Sequence, residues 1–264
     1  MAMKKRTKGN ITAPSLPGKD MLAEVNNNEA GNIYNSLFAK NRKVEYDNKD
    51  IALVNIRTNP DNQIFRAMDD DEDIRILAED IKRNGLMHNL VVFPEQEEGS
   101  TVYVLLSGER RFRALNYLQE KGDATWNIVN CNVVTTPLTE NEKKVLLYSA
   151  NLQVRGGFSD EAIRRQAIAE FITCLQREPY NMSREEALNA TKSVSTVNPR
   201  TIERDARIEE KLKGKLKTLL NDKFLTRSEC ETYLRFEADK QDEIANRFEK
   251  LQAVDCHKAP GKTM

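Results

Sequence analysis

The chain is short of cysteine, of aromatic side chains and of long apolar runs, and each shortage narrows what it can be. Its four cysteines, Cys131, Cys174, Cys230 and Cys256, stand far apart. None makes the paired spacing that holds zinc, so they read as ordinary core or surface thiols in a reducing compartment. Aromatics are 6% of residues and charged residues 31%, a balance that suits a helical protein better than an all-β one. No apolar run approaches the ~20 residues that span a bilayer. The N-terminus also lacks the apolar segment of a secretory signal. A soluble, cytoplasmic protein with no membrane partner is expected. An excess of one charge is missing as well, with 41 Lys+Arg against 41 Asp+Glu. Affinity for nucleic acid must therefore be sought in local patches. At 264 residues the chain is long enough for one large or two modest cores.

What is present is concentrated in Thr101–Leu118, TVYVLLSGERRFRALNYL. Val102–Leu106 is an apolar run of strand length. Ser107-Gly108 breaks it, and from Glu109 a helix is expected with Phe112, Leu115 and Leu118 on one face and Arg110 and Arg113 on the other. Arginines in a first helical turn oppose the macrodipole unless an anion compensates. A strand, a glycine turn and an arginine-bearing helix start together make a phosphate site, with backbone N–H groups after Gly108 and charge-assisted bonds from Arg110 and Arg111. Spacing alone is equally consistent with a solvated helix start balanced by Glu109.

Around this stretch, Asp71–Arg83 has Ile74, Leu77, Ala78 and Ile81 at helical spacing, with Asn84-Gly85 as its stop. Leu90–Phe93 is read as a strand ended by Pro94, Glu95–Ser100 as a turn, and Asn127–Val134 as a further strand. Three Ser/Thr-x-x-Glu boxes, at Thr139–Glu142, Ser183–Glu186 and Thr226–Glu229, each predict a helix start. Gly156-Gly157 interrupts the first of these helices, and Ser159 is expected to open the next. Asn198 is placed as an N-cap with Pro199 as the first helical residue.

The residues GERRFRAL (Gly108–Leu115) resemble the signature box of the ParB partition-protein family. The order of elements agrees: helix, NG-L turn and strand before the box, then ANLQVR (Ala150–Arg155), then a helix-turn-helix pattern. The resemblance covers about Ile56 to Leu251. It implies an α+β protein: a small mixed-sheet α/β ParB-type N-terminal domain followed by an all-α helix-turn-helix domain. The expected boundaries are a disordered basic arm at 1–50 (with a short helix at Ile33–Ala39), a nucleotide-binding domain at 51–157, a DNA-binding domain at 158–252 and a tail at 253–264. It implies CTP with magnesium as ligand, held by Gly108, Glu109, Arg110, Arg111, Arg113, Asn151 and Arg155, with Asn151 also facing the metal. Three departures stand out. Ala150 replaces the family's carboxylate and Arg155 lies four rather than three residues after Asn151, so at most a slow CTPase acting as a switch is expected. His88-Asn89 stands where many members carry Gln-Pro.

In the second half, Arg200, Arg204, Arg207 and Lys211 fall on one helix face. They read as phosphate contacts, with Ser195, Asn198, Arg200 and Thr201 near base edges and Lys192, placed in the turn Lys192–Val197, also in the DNA-binding set. A solvated face counter-charged by Glu203, Asp205 and Glu209 fits the spacing too. The implied function is sequence-specific binding of double-stranded DNA in plasmid or chromosome partition, with CTP-dependent clamping. The alternatives are a transcriptional or replication regulator, or an enzyme of nuclease or kinase type on a related fold. A ParA-type ATPase engaging the N-terminal arm is the second implied partner. The last apolar stripe ends at Leu251, so a monomer or weak dimer strengthened by ligand is expected.

Overall fold

A computed structural model describes residues 44–66, 70–154, 158 and 160–256. The expectations for the arm up to residue 43, the Gly156-Gly157 hinge, Ser159 and Arg155 lie outside the described residues. Five strands form one mixed sheet: β1 (Tyr46–Ala52), β2 (Ile56–Arg57), β3 (Leu90–Glu97), β4 (Ser100–Ser107) and β5 (Ile128–Val134), in the order β1-β5-β3-β4-β2. β1 pairs antiparallel with β5 and β3 with β4, whereas β3/β5 and β2/β4 are parallel.

The helices are α1 (Gln63–Arg66), α2 (Asp71–Asn84), α3 (Glu109–Glu120), α4 (Glu140–Val154), α5 (Glu161–Gln176), α6 (Arg184–Val194), α7 (Pro199–Lys211), α8 (Gly214–Asn221), α9 (Arg227–Tyr233) and α10 (Ala238–Cys256). Among the described residues no helix is long and apolar enough to cross a membrane. The strands alternate between two cores, as a pleat requires. Leu90, Val92, Leu105, Val129, Cys131 and Val133 pack with Ile74, Ala78 and Ile81 of α2 and Phe112, Leu115 and Leu118 of α3. Val91, Phe93, Val104, Leu106 and Val134 join the opposite cluster, with Leu146 of α4 and Phe171 of α5, and that cluster continues to Val194 of α6 and Ile202 and Ala206 of α7. Each Val, Leu, Ile or Phe among them stabilises the fold by roughly 1.5–3 kcal/mol on full burial. A third cluster unites Ile208 and Leu212 with α8, α9 and α10.

Two strands correct the sequence reading. β3 runs through Pro94 to Glu97, and only Leu90–Val92 has β5 beside it. Beyond Val92 the strand is paired with β4 alone, so one side of the ladder needs no donor from proline. Glu98-Gly99 then turns the chain with both φ values positive, 48° and 83°, the two-residue hairpin geometry that matches strand twist. β1 begins at Tyr46, ahead of the Ile51 expected as the start of order. Its residues Asp47–Asp50 are exposed, so no alternating pattern marks it. All three capping boxes form: Glu142 and Thr139 bond reciprocally, as do Ser183 with Glu186 and Thr226 with Glu229. Asp160 caps α5 by accepting from Ala162 and Ile163.

Buried charge fixes α7 in the helical half. Asp205, with no exposed surface, accepts from Arg164 Nε at 2.7 Å and faces Arg227 at 3.6 Å. Arg165, 1% exposed, donates to Asn221 at 2.6 Å and pairs with Glu209 at 3.5 Å. Buried ions hold a position only when every partner is present, so this network sets how α7 sits on α5, α8 and α9.

Candidate functional site

The turn between β4 and α3 is built by Gly108. Its φ of 104° and ψ of 22° are left-handed, and it caps α3 without a side chain. A Cβ there would lie 2.8 Å from Leu90 Cδ2 and 3.3 Å from Arg111 Nη2. Glycine is therefore required by backbone conformation and by packing against β3, whatever ligand approaches. Arg111 Nη1 donates to the carbonyls of His88 at 2.6 Å and Asn89 at 2.9 Å, clasping the loop before β3. These bonds anchor the guanidinium of Arg111 to that loop. Arg113 donates to Asp71 at 3.1 Å, and Arg110 stands 4.0 Å from Asp73. The acidic start of α2 thus supplies the counter-charge that the macrodipole argument demands for arginines opening α3. Arg110 has the looser contact and is half exposed. Glu109 is buried and faces inward rather than balancing solvated arginines.

Asn89 extends the same loop into a polar ladder across β3, β5 and β1. Its amide donates to Asn130 at 2.7 Å and Asn132 at 3.2 Å, and Asn130 donates to Asp50 at 2.9 Å. The second box lies on α4. Asn151 donates to Leu147 O at 2.9 Å and to Asn62 Oδ1 at 3.4 Å. Sequence reasoning missed Asn59 and Asn62, both buried. Asn59-Pro60 was a legible signal, since Asn59 caps the 3-10 turn Pro60–Asn62 with proline at its first position. Ala150 is 7% exposed, so a carboxylate there would have to be desolvated. Around Asn151 the nearest acid in that turn, Asp61, is held by Lys144 at 3.1 Å. Among the described residues no group of three or more metal-ligating side chains exists. These donors do not fit a magnesium site centred on Asn151.

In the helical half, α6 and α7 are joined by the turn Ser195–Asn198, and Asn198 caps α7 by accepting from Arg200 N at 2.9 Å. Lys192, expected in the turn, lies on the last turn of α6 and is paired with Glu203 at 2.5 Å. The Ser195 hydroxyl accepts from Val197 N at 3.1 Å and reaches Leu152 O at 3.4 Å. Thr201 is half-buried, whereas Arg200 and Lys211 are exposed. Arg204 and Arg207 are not bare cations, since both bind Glu231 of α9, Arg207 at 2.7 Å. The bond from Arg204 holds the Glu231 carboxyl below the usual carboxylate range. No sequence pattern marks Glu231, which lies 24 residues from Arg207.

With this geometry established, comparison with known proteins places the first half. Residues 37–142 match the family model described as the ParB N-terminal domain. Similar solved structures include a C-terminally truncated chromosome-partitioning protein ParB from Caulobacter crescentus complexed with CTP-gamma-S. It is 18% identical with a TM-score of 0.33, covering 76% of this chain and 98% of that one. A Pnob8-like ParB-N domain is 11% identical with a TM-score of 0.43, covering 78% and 98%. A pNOB8-like ParB N-domain is 12% identical with a TM-score of 0.40, covering 81% and 91%. A search of curated proteins gave no match.

Proposed function

We propose that the chain is a ParB-like DNA-binding protein of the partition type, with a nucleoside triphosphate, CTP, as the ligand of its sheet domain. The observation that supports this best is the joining of a ParB-type domain, with its arginine box opening α3, to a capped helix pair whose second helix presents Arg200 and Lys211. The first-turn N–H groups of a helix suit phosphate, and Arg110 is the arginine of the box best able to turn toward it. Arg111 acts indirectly by fixing the His88–Asn89 edge, and Arg113 by holding α3 to α2. Arg200 and Lys211 face DNA, with phosphate contacts supplying most of the affinity. Asn151 and Arg155 complete the nucleotide site from the second box. With alanine at position 150, turnover is slow or absent. A ParA-type partner at the N-terminal arm and a ligand-promoted dimer belong to the same reading.

Calorimetry of the full chain with each of the four ribonucleoside triphosphates tests it. CTP should bind, and Arg110→Ala should weaken binding at least about tenfold, the loss of one charge-assisted hydrogen bond. A phosphate-release assay should show little turnover. Absence of binding by every triphosphate would leave the box a purely structural feature.

A further inference from the structure

The carboxylate of Glu231 is held in a particular way. Arg204 Nη2 binds one of its oxygens and Arg207 Nη2 binds the other at 2.7 Å, while Arg204 also reaches Ser228 Oγ at 3.3 Å. Two guanidinium groups sharing one oxyanion is the arrangement by which proteins grip phosphate. The pair lies in an open groove of about 380 Å³ lined by Arg184, Arg200, Arg204, Arg207, Glu203 and Glu231. Glu203 is spent on Lys192 and Arg184 is met by Glu210 from outside the groove. Among the described residues Glu231 is thus the carboxylate hydrogen-bonded to both arginines, with Asp205 and Glu161 adding attraction for Arg204 and Glu203 for Arg207 only through space. The pairing is also open to exchange, because Arg204, Arg207 and Glu231 retain 34%, 52% and 25% of their side-chain exposure. Asp205, with none, is locked. Half-exposed ion pairs contribute little net stability, so a competing anion can displace this one.

We propose that Glu231 stands in for a DNA phosphate between Arg204 and Arg207 and sets how much of the chain's DNA affinity is independent of sequence. This rests on the DNA-binding reading above. While Glu231 holds them, the two arginines attract a duplex weakly, and binding depends on the exposed end of α7. A carboxylate in this place trades non-specific affinity for discrimination, since the sequence-independent part of binding comes from phosphate neutralisation.

The test uses the full chain and random-sequence duplex DNA, with affinity followed from low to moderate salt. Glu231→Gln keeps the shape and removes the charge. Its plot of log affinity against log salt should steepen by about one to two, at ~0.9 for every additional phosphate neutralised. Ser228→Asp adds a second carboxylate beside Arg204, in the first turn of α9 where the dipole favours it, and should flatten the same plot. Opposite shifts in the two variants support the proposal, and loss of the Glu231→Gln effect in an Arg204→Gln/Arg207→Gln background would complete it. Slopes that do not move, or weaker binding by Glu231→Gln at unchanged melting temperature, would make Glu231 merely a brace for α7 and overturn the idea. If Glu231→Gln melts early, Ser228→Asp decides alone by the direction of its shift. If neither the unmodified chain nor any variant binds duplex even at low salt, the DNA-binding reading itself falls and the proposal with it.

Discussion

Replacing Gly108 by alanine separates two reasons for a glycine at the start of α3. If the residue serves only a ligand, Gly108→Ala leaves the stability of the ligand-free protein untouched. The geometry predicts otherwise. A left-handed conformation costs a residue with a Cβ roughly 1–2 kcal/mol, and φ here is 104°. The added methyl also meets Leu90 Cδ2 at 2.8 Å, a side chain with no exposed surface that cannot swing into solvent. Overpacking of that kind costs about 1–3 kcal/mol. The sum is about 2–5 kcal/mol, a fall in melting temperature of roughly 4–20 °C for a chain of this size. Urea unfolding of the ligand-free protein measures it. A double-mutant cycle divides it: in a Leu90→Ala background the steric part vanishes and only the conformational part remains, giving a coupling of about 1–3 kcal/mol. An unchanged urea midpoint for Gly108→Ala, or the same increment in both backgrounds, would refute the packing argument.

Other outcomes follow from the same geometry. Arg111→Ala removes both bonds to the His88 and Asn89 carbonyls. It should lower stability by about 2–4 kcal/mol and raise hydrogen exchange at Leu90 even without ligand. Asp205→Ala leaves Arg164 buried without its carboxylate; a loss of about 3–5 kcal/mol is expected in denaturant melts. Burial pushes the thiols of Cys131 up to about 12 and of Cys174 and Cys230 up to about 11. These three should resist a thiolate-specific reagent at pH 8 and react only on unfolding. Bonds from Arg204 and Arg207 depress the Glu231 carboxyl. Its contribution is therefore present above the ordinary carboxylate range and is lost as pH falls through the lower folded value. An acid titration followed by Glu231 carboxyl chemical shift should place its midpoint below that of a free glutamate.

Local chemistry made much of this fold legible, and distance concealed the rest. Capping boxes are closed by residues three apart, so Thr139, Ser183 and Thr226 could each be read as helix starts without knowing what the helices touch. The same holds for Asn198-Pro199 and for the stop at Gly85, whose φ is 81°. β1 escaped notice because an edge strand with exposed Asp47–Asp50 has no buried side to print an alternation. Pro94 misled because whether a strand tolerates proline depends on which neighbour runs beside it. Within the candidate sites, Gly108 and the arginines were found, but their partners were not. Arg111 binds carbonyls 22 and 23 residues upstream, and Arg204 and Arg207 share a carboxylate supplied by another helix. Sequence periodicity assigns a charge to a face; only tertiary contacts say whether that charge is still available.

The long carbonyl contact at Leu152 has a consequence for how the two halves communicate. Leu152 adjoins Asn151 near the end of α4, and its oxygen faces both Ser195 Oγ and Thr196 N of the turn before α7, each at 3.4 Å. These are weak bonds, close to the limit at which they count, and they bridge the second box to the turn before α7 across one shared atom. On the proposed function, a nucleotide that moved Asn151 would strain them, and a duplex that moved the turn would strain the same oxygen. Coupling through such a joint is reciprocal by thermodynamic necessity. On the proposed function, any factor by which nucleotide changed DNA affinity would equal the factor by which DNA changed nucleotide affinity, which would make the Leu152 carbonyl a clutch and not a one-way lever.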